Sequence, residues 1–174
     1  MAITLAAKPD LLTWADFRLT ATKPVDPGDG TSVDAFTTFS YDVPDLDYST
    51  VDGQLAYTGT ATIIITPNAE IFQSAPQTAG LLSHEQFHYD VGIVTGRALA
   101  RSLMALRAPT AAALQQAHDA AIQLHFVTRA GLLQHHYDRE TQHGADAHYQ
   151  KIWKDSMAVC LADPLSLHLL GFWL

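Results

Sequence analysis

At 174 residues, with 48% hydrophobic and 16% charged residues, the chain suits one folded domain with a sizeable core, and a disordered chain is excluded. Its formal net charge of −8 argues against nucleic acid or an anionic membrane as the main partner. No apolar run reaches the roughly 18 residues that a membrane span needs.

The opening Met1-Ala2-Ile3-Thr4-Leu5-Ala6-Ala7-Lys8-Pro9-Asp10 lacks the basic and long apolar regions of a signal peptide. That reads as a cytoplasmic protein if the chain is complete, and as a periplasmic or secreted one if it is trimmed. Residues 11–73 are β-like, rich in Thr, Val, Ile, Tyr and Phe and cut by turn residues. Leu11 to Leu19 reads as a first extended segment with Trp14 as a core anchor, Pro24 to Gly30 as a loop, and Ser32 to Asp42 as a strand. Leu55 to Thr66 is the best strand. Tyr57, Ala61, Ile63 and Ile65 point one way, Thr58, Thr60, Thr62, Ile64 and Thr66 the other, and Pro67-Asn68 closes it.

From 77 to 162 the periodicity is helical. A first helix runs from about Thr78 to Leu106, with Gly92 and Gly96 open to close packing and Arg97, Arg101 and Arg107 on the wetter side. Ala108-Pro109-Thr110 breaks it, with Thr110 as N-cap of a second helix that extends to Gln142. Gly144 reads as the C-cap. A third helix covers Ala145 to Leu161, and the apolar tail 163–174 packs back on the domain. The single Cys160 forms no internal disulfide and reads as a small core residue on this last helix.

The chemistry concentrates in Leu81-Leu82-Ser83-His84-Glu85-Gln86-Phe87-His88-Tyr89-Asp90. On a helix, residues four apart stand about 6 Å along the axis on one face, so His84 and His88 can share a metal ion. Glu85 beside them is placed to take a proton from an ion-activated water, the general-base role in zinc hydrolases. The alternative is that both histidines are ordinary polar residues of a half-exposed helix. Glutamate occurs only at 70, 85 and 140, so Glu85 is not drawn from a Glu-rich surface.

A third protein ligand is needed, and the position six residues past the motif is Val94. In a helix hairpin the returning helix passes the two histidines at about residues 131–143. There His136, Glu140 and His143 share a helical face; Glu140 and His143 rank equally, with His136 and Asp138 behind. Tyr137 is an oxyanion donor candidate, and Asp90 and Asp138 are candidates for orienting a ligand imidazole from behind. His118, His125, His148 and His168 read as structural.

Three blocks of the chain resemble the DUF922 family of bacterial proteins, a zincin-like group of unassigned function. They are Leu12-Thr13-Trp14-Ala15-Asp16-Phe17, the Leu81 to Asp90 block with Tyr89 where phenylalanine is usual, and Tyr137-Asp138-x-x-Thr141-x-His143-Gly144. The family pattern has a histidine at the position of His143 and tolerates other residues at that of Glu140. The resemblance therefore points to His143 as third ligand, with Glu140 as the alternative. It also implies a single α+β domain of zincin type, spanning 1–174: a mostly antiparallel N-terminal sheet packed on long C-terminal helices, one carrying the motif. The expected activity is zinc-dependent hydrolysis of peptide bonds in a peptide or protein substrate paired along Leu55 to Thr66, with His84, His88 and His143 on Zn2+. Rival readings are a catalytically silent zinc-containing module and a zinc hydrolase of a non-peptide amide.

Overall fold

The computed structural model describes residues 2–174. One long strand organises the sheet. β1 (Ala2–Ala7) and β2 (Phe17–Thr20) both pair parallel to β6 (Thr60–Phe72), end to end along one edge, while β3 (Ala35–Asp42) runs antiparallel along the other. A hairpin of β4 (Tyr48–Val51) and β5 (Gln54–Tyr57) leads into β6. The sheet is therefore mixed, not mostly antiparallel. The parallel partner β1 lies in the opening residues, whose Ile3 and Leu5 alternate too briefly to mark a strand before its partner is known.

Two further expectations shift here. The segment from Leu55 to Thr66 breaks at Gly59, where φ is +75°, and β6 then runs through Pro67 to Phe72. Pro67 is tolerated in this central strand because β1 pairs only as far as Ile65 and β2 only from Ala69. The missing N–H therefore falls opposite a gap where no ladder bond is lost. The first extended segment is also shorter than its pattern: Thr13 donates its N–H and hydroxyl to Asp16 at 2.7 and 2.8 Å, closing a 3-10 turn over Trp14–Asp16 before β2.

α1 (Ala79–Ala105) starts on Thr78, whose hydroxyl accepts the Leu81 N–H. It is buried nearly all round. Ile63, Ile65, Leu99 and Leu103 form a core between the sheet and α1, and Phe87, Val91, Leu133 and Trp153 form another between α1 and the later helices. Close approach to the sheet depends on two positions without side chains: a Cβ at Gly92 would meet Phe39 at 2.7 Å, and one at Gly96 would meet Leu5 at 2.5 Å. Tyr89 locks the same interface, accepting the Lys8 N–H and donating to the Ile65 carbonyl at 2.9 Å.

Thr110 caps α2 (Ala111–Ile122), which passes through a π-helical segment, Gln123–Arg129, into α3 (Ala130–Thr141). α4 (Ala147–Ala162) starts on Asp146, and the tail returns as the hairpin β7 (His168–Leu169) and β8 (Phe172–Trp173), burying Leu169 and Leu174. Arg97 and Arg101 do not face solvent as charged residues of α1 alone suggested. They donate to the carbonyls of Cys160, Leu161, Pro164 and Ser166, satisfying the end of α4 and the start of the tail. Among the described residues no helix is long and apolar enough to cross a membrane.

Candidate metal centre

α1 presents His84 and His88 from adjacent turns towards α3, and α3 returns Asp138. The two Nε2 atoms lie 3.2 Å apart, and Asp138 Oδ1 lies 3.1 Å from that of His84 and 3.0 Å from that of His88. Three donors bonded at about 2.0–2.1 Å to one tetrahedral ion stand roughly 3.3 Å apart, so this triangle fits such an ion with a small expansion. All three residues are buried, and the Nδ1 atoms of both histidines have no hydrogen-bond partner. Among the described residues, the hydrogen-bond partners of each imidazole are thus at Nε2.

The charges support one another. Burial pushes His84 down to about 4. Burial alone would lower His88 as well, but the negative charges of Asp138 and Glu85 outweigh it and hold His88 above its ordinary value. Burial would raise Asp138, yet the charge of His88 and the hydrogen bonds from both histidines keep its carboxyl well below the usual range. Glu85 is buried with an unpartnered Oε2, and burial lifts it to about 7. His84, Glu85, His88 and Asp138 line a cavity of about 320 Å³, with Asp26 and His143 on its wall.

The sequence blocks account for this geometry residue by residue. Tyr137 stacks on the His84 ring with centroids 4.8 Å apart, and on Phe87 at 3.8 Å, fixing the plane of the imidazole from beneath. After α3 the chain takes three left-handed residues, Gln142, His143 and Gly144, at φ of 50°, 51° and 85°. Two of them are not glycine, each costing on the order of 1–3 kcal/mol, strain of the kind that persists where the surroundings over-determine a site. The buried Thr141 holds the turn, its hydroxyl accepting the Gly144 N–H at 3.2 Å. A side chain at Gly144 would be tight as well as strained at its φ: a Cβ there would sit 3.2 Å from the His84 ring. The opening block is tied in as well, because the Leu12 N–H donates to Gln86 Oε1 at 2.7 Å.

Several expected roles change. Asp138, ranked behind Glu140 and His143 as a ligand and otherwise expected to orient an imidazole, is the group brought within 3.1 Å of both motif histidines. His143 stands one step outward, its Nδ1 3.7 Å from Asp138 Oδ1. Glu140 is turned away and accepts the Trp153 indole N–H at 2.8 Å, so it is not an alternative third ligand. Tyr137 is fully buried and absent from the cavity wall, so its hydroxyl is not placed as an oxyanion donor. Asp90 orients no imidazole: it accepts the Gln86 side-chain N–H at 2.7 Å and borders two other cavities. His136 packs on Phe172, His118 meets the Tyr57 hydroxyl at 3.0 Å, and His125 meets that of Ser102 at 2.8 Å.

Sequence reasoning missed Asp26 and Asp29. Both lie in the loop after Pro24, and they face His143, Asp29 Oδ2 at 3.1 Å from its Nε2 and Asp26 Oδ2 at 3.9 Å from its Nδ1. The Pro-Val-Asp-Pro-Gly-Asp-Gly composition marks a turn, and aspartates are ordinary there, so only the folded position singles them out.

Motif helix, returning aspartate and shared cavity together define a His-Glu-x-x-His centre with a carboxylate partner. The chain belongs to the family described as bacterial protein of unknown function (DUF922), whose model matches residues 13–144, a span that includes every residue of this centre. No curated protein and no solved structure matches the chain.

Proposed function

We propose that this protein is a zinc-dependent hydrolase of peptide bonds, with the ion on His84, His88 and Asp138 and with Glu85 as general base. The observation that carries the reading is the convergence of two imidazole Nε2 atoms and one carboxylate oxygen within 3.2 Å of one another, beside a buried glutamate in one open cavity. Two neutral imidazoles and a carboxylate suit zinc well among common ions. Bound there, the ion would supply Lewis-acid polarisation and an acidified water.

The chain's own groups do the rest. Glu85, buried beside the two histidines on the cavity wall, is placed for proton transfer: its carboxylate accepts the proton of the attacking water and returns it to the leaving amine. Asp138 supplies the negative charge that would offset the ion, while the Tyr137 ring and the space at Gly144 hold His84 in register. A substrate strand along Leu55 to Thr66 would find little free edge, because β5 is paired with β4, and β6 with β1 over Thr60 to Ile65 and with β3 from Ile64 onwards. β3 pairs only with β6, and its first residues, Ala35 and Phe36, line the cavity, so an extended substrate is better served there.

The test is Glu85→Gln assayed on a peptide library and on cell-wall amides, with metal content measured in parallel. Retained metal with hydrolysis reduced about 10²–10⁴-fold is expected. Unchanged hydrolysis rules out Glu85 as the base. Wild-type activity confined to non-peptide amides reassigns the substrate, and a metal-loaded wild type that hydrolyses nothing makes the centre a silent binding module.

A further inference from the structure

The cavity contains a second donor group, two of whose members, Asp26 and His143, the hydrolytic reading leaves unused. The donor atoms of Asp26, Asp138 and His143 all lie within 4.8 Å of one another, with His143 Nδ1 3.7 Å from Asp138 Oδ1 and 3.9 Å from Asp26 Oδ2. These gaps are too long for hydrogen bonds, which end near ~3.2 Å. They stand within a few tenths of an ångström of the roughly 3.4–3.6 Å between tetrahedral donors that share a divalent ion at about 2.1–2.2 Å.

Asp26 itself points to an ion. It is only 9% exposed, in a loop whose other residues are mostly open. Its Oδ1 accepts the Gly28 N–H at 2.7 Å, but its Oδ2 faces the cavity and His143 beyond hydrogen-bond reach. Buried carboxylates are normally paired or coordinate a metal. On the other side of His143, Asp29 Oδ2 lies 3.1 Å from Nε2 and is placed to accept its N–H, which leaves the Nδ1 lone pair directed at Asp26 and Asp138.

We propose that the protein holds two divalent cations, one on His84, His88 and Asp138 and a second on Asp26, Asp138 and His143, with Asp138 Oδ1 bridging the pair. The second site rests on the first as read above. A single bridging oxygen places the ions about 3.5–4 Å apart, the separation of two-ion hydrolytic centres. Two carboxylates and one imidazole accept zinc or manganese. Asp29 is a positioning residue for His143, not a ligand.

The experiment loads the full chain with Zn2+, dialyses it without chelator and counts zinc per chain by plasma mass spectrometry in wild type, Asp26→Asn and His143→Gln. Circular dichroism melts confirm that each is folded. The expected result is two ions in wild type and one in each variant; Asp26→Asn keeps an oxygen for the Gly28 N–H, so its loop should close normally. One ion in wild type overturns the second site and leaves the first intact, whereas none overturns both. Should a variant unfold, wild type loaded with Mn2+ decides by electron paramagnetic resonance. An exchange-coupled pair supports the bridge, and two independent signals or one overturn it.

Discussion

Asp90 shows what burial does to one carboxyl group. It follows the motif by two residues, yet it stands on the opposite flank of α1, where burial raises it from 3.8 to about 6 against the opposing effects of the Gln86 hydrogen bond and the Arg97 charge. In the unfolded chain the group titrates near its ordinary value of about 4. Between about 4 and 6 the native state therefore holds the extra proton. Stability falls as pH rises through that window and stays lower above it. Asp90→Asn removes the buried charge while keeping an acceptor for Gln86. Its melting temperature should rise by roughly 2–8 °C near pH 7.5, from about 1–2 kcal/mol, and stay unchanged near pH 3.5. An equal shift at both pH values would mean that the gain comes from packing and not from charge.

At the scale of an element, the π-helical segment explains why Asp138, and not Glu140 or His143, stands beside both His84 and His88. The buried face of α2 runs through Leu114, His118 and Ala121 and continues to His125. An unbroken helix would carry it on to His136, Glu140 and His143, the face that sequence spacing selects. Instead Phe126 is buried beside His125, and the face resumes one residue later at Ala130, Leu133, Tyr137 and Thr141, with Asp138 beside it. A π-bulge is one extra residue in an α-helix, and such bulges recur at functional sites. Deleting the exposed Val127 should therefore fuse α2 and α3 into a regular helix with Asp138 still facing His84. Metal content and cooperative melting are expected to persist. Deleting Gln134, beyond the bulge, rotates Tyr137 and Asp138 by about 100° and should abolish both. Two deletions with the same effect would show that the bulge does not set the phase of α3.

For the whole molecule, α1 is the hub: the sheet packs on one side of it, and α3, α4 and the terminal hairpin pack on the other. A metal held by His84, His88 and Asp138, as proposed, would cross-link this hub to α3 and favour the folded chain. At a thousandfold excess of free ion over its dissociation constant, that linkage amounts to about 4 kcal/mol. Stripping the ion with a chelator should then lower the melting temperature by roughly 8–16 °C, reversibly on adding Zn2+. A midpoint indifferent to chelator in metal-loaded protein would place the ion off the α1–α3 interface.

The linear sequence determined whatever depends on neighbours along the chain. His84, Glu85 and His88 are read from i, i+1, i+4 spacing, the Thr110 cap from a hydroxyl ahead of an apolar period, and the alternation around Ile63 and Ile65 from a period of two. The family blocks were legible too, but as residues without partners. Only the tertiary structure decided those partners, because they depend on distances between segments far apart in sequence. Asp26 reaches the cavity from a loop of turn-forming residues, β1 becomes a strand only against β6, and Gly144 lies close against the His84 ring. The choice of Asp138 turned on a single added residue in the helix before it. Local periodicity carries a face forward correctly until a bulge resets the phase, and the packing that stabilises the bulge lies outside the helix itself.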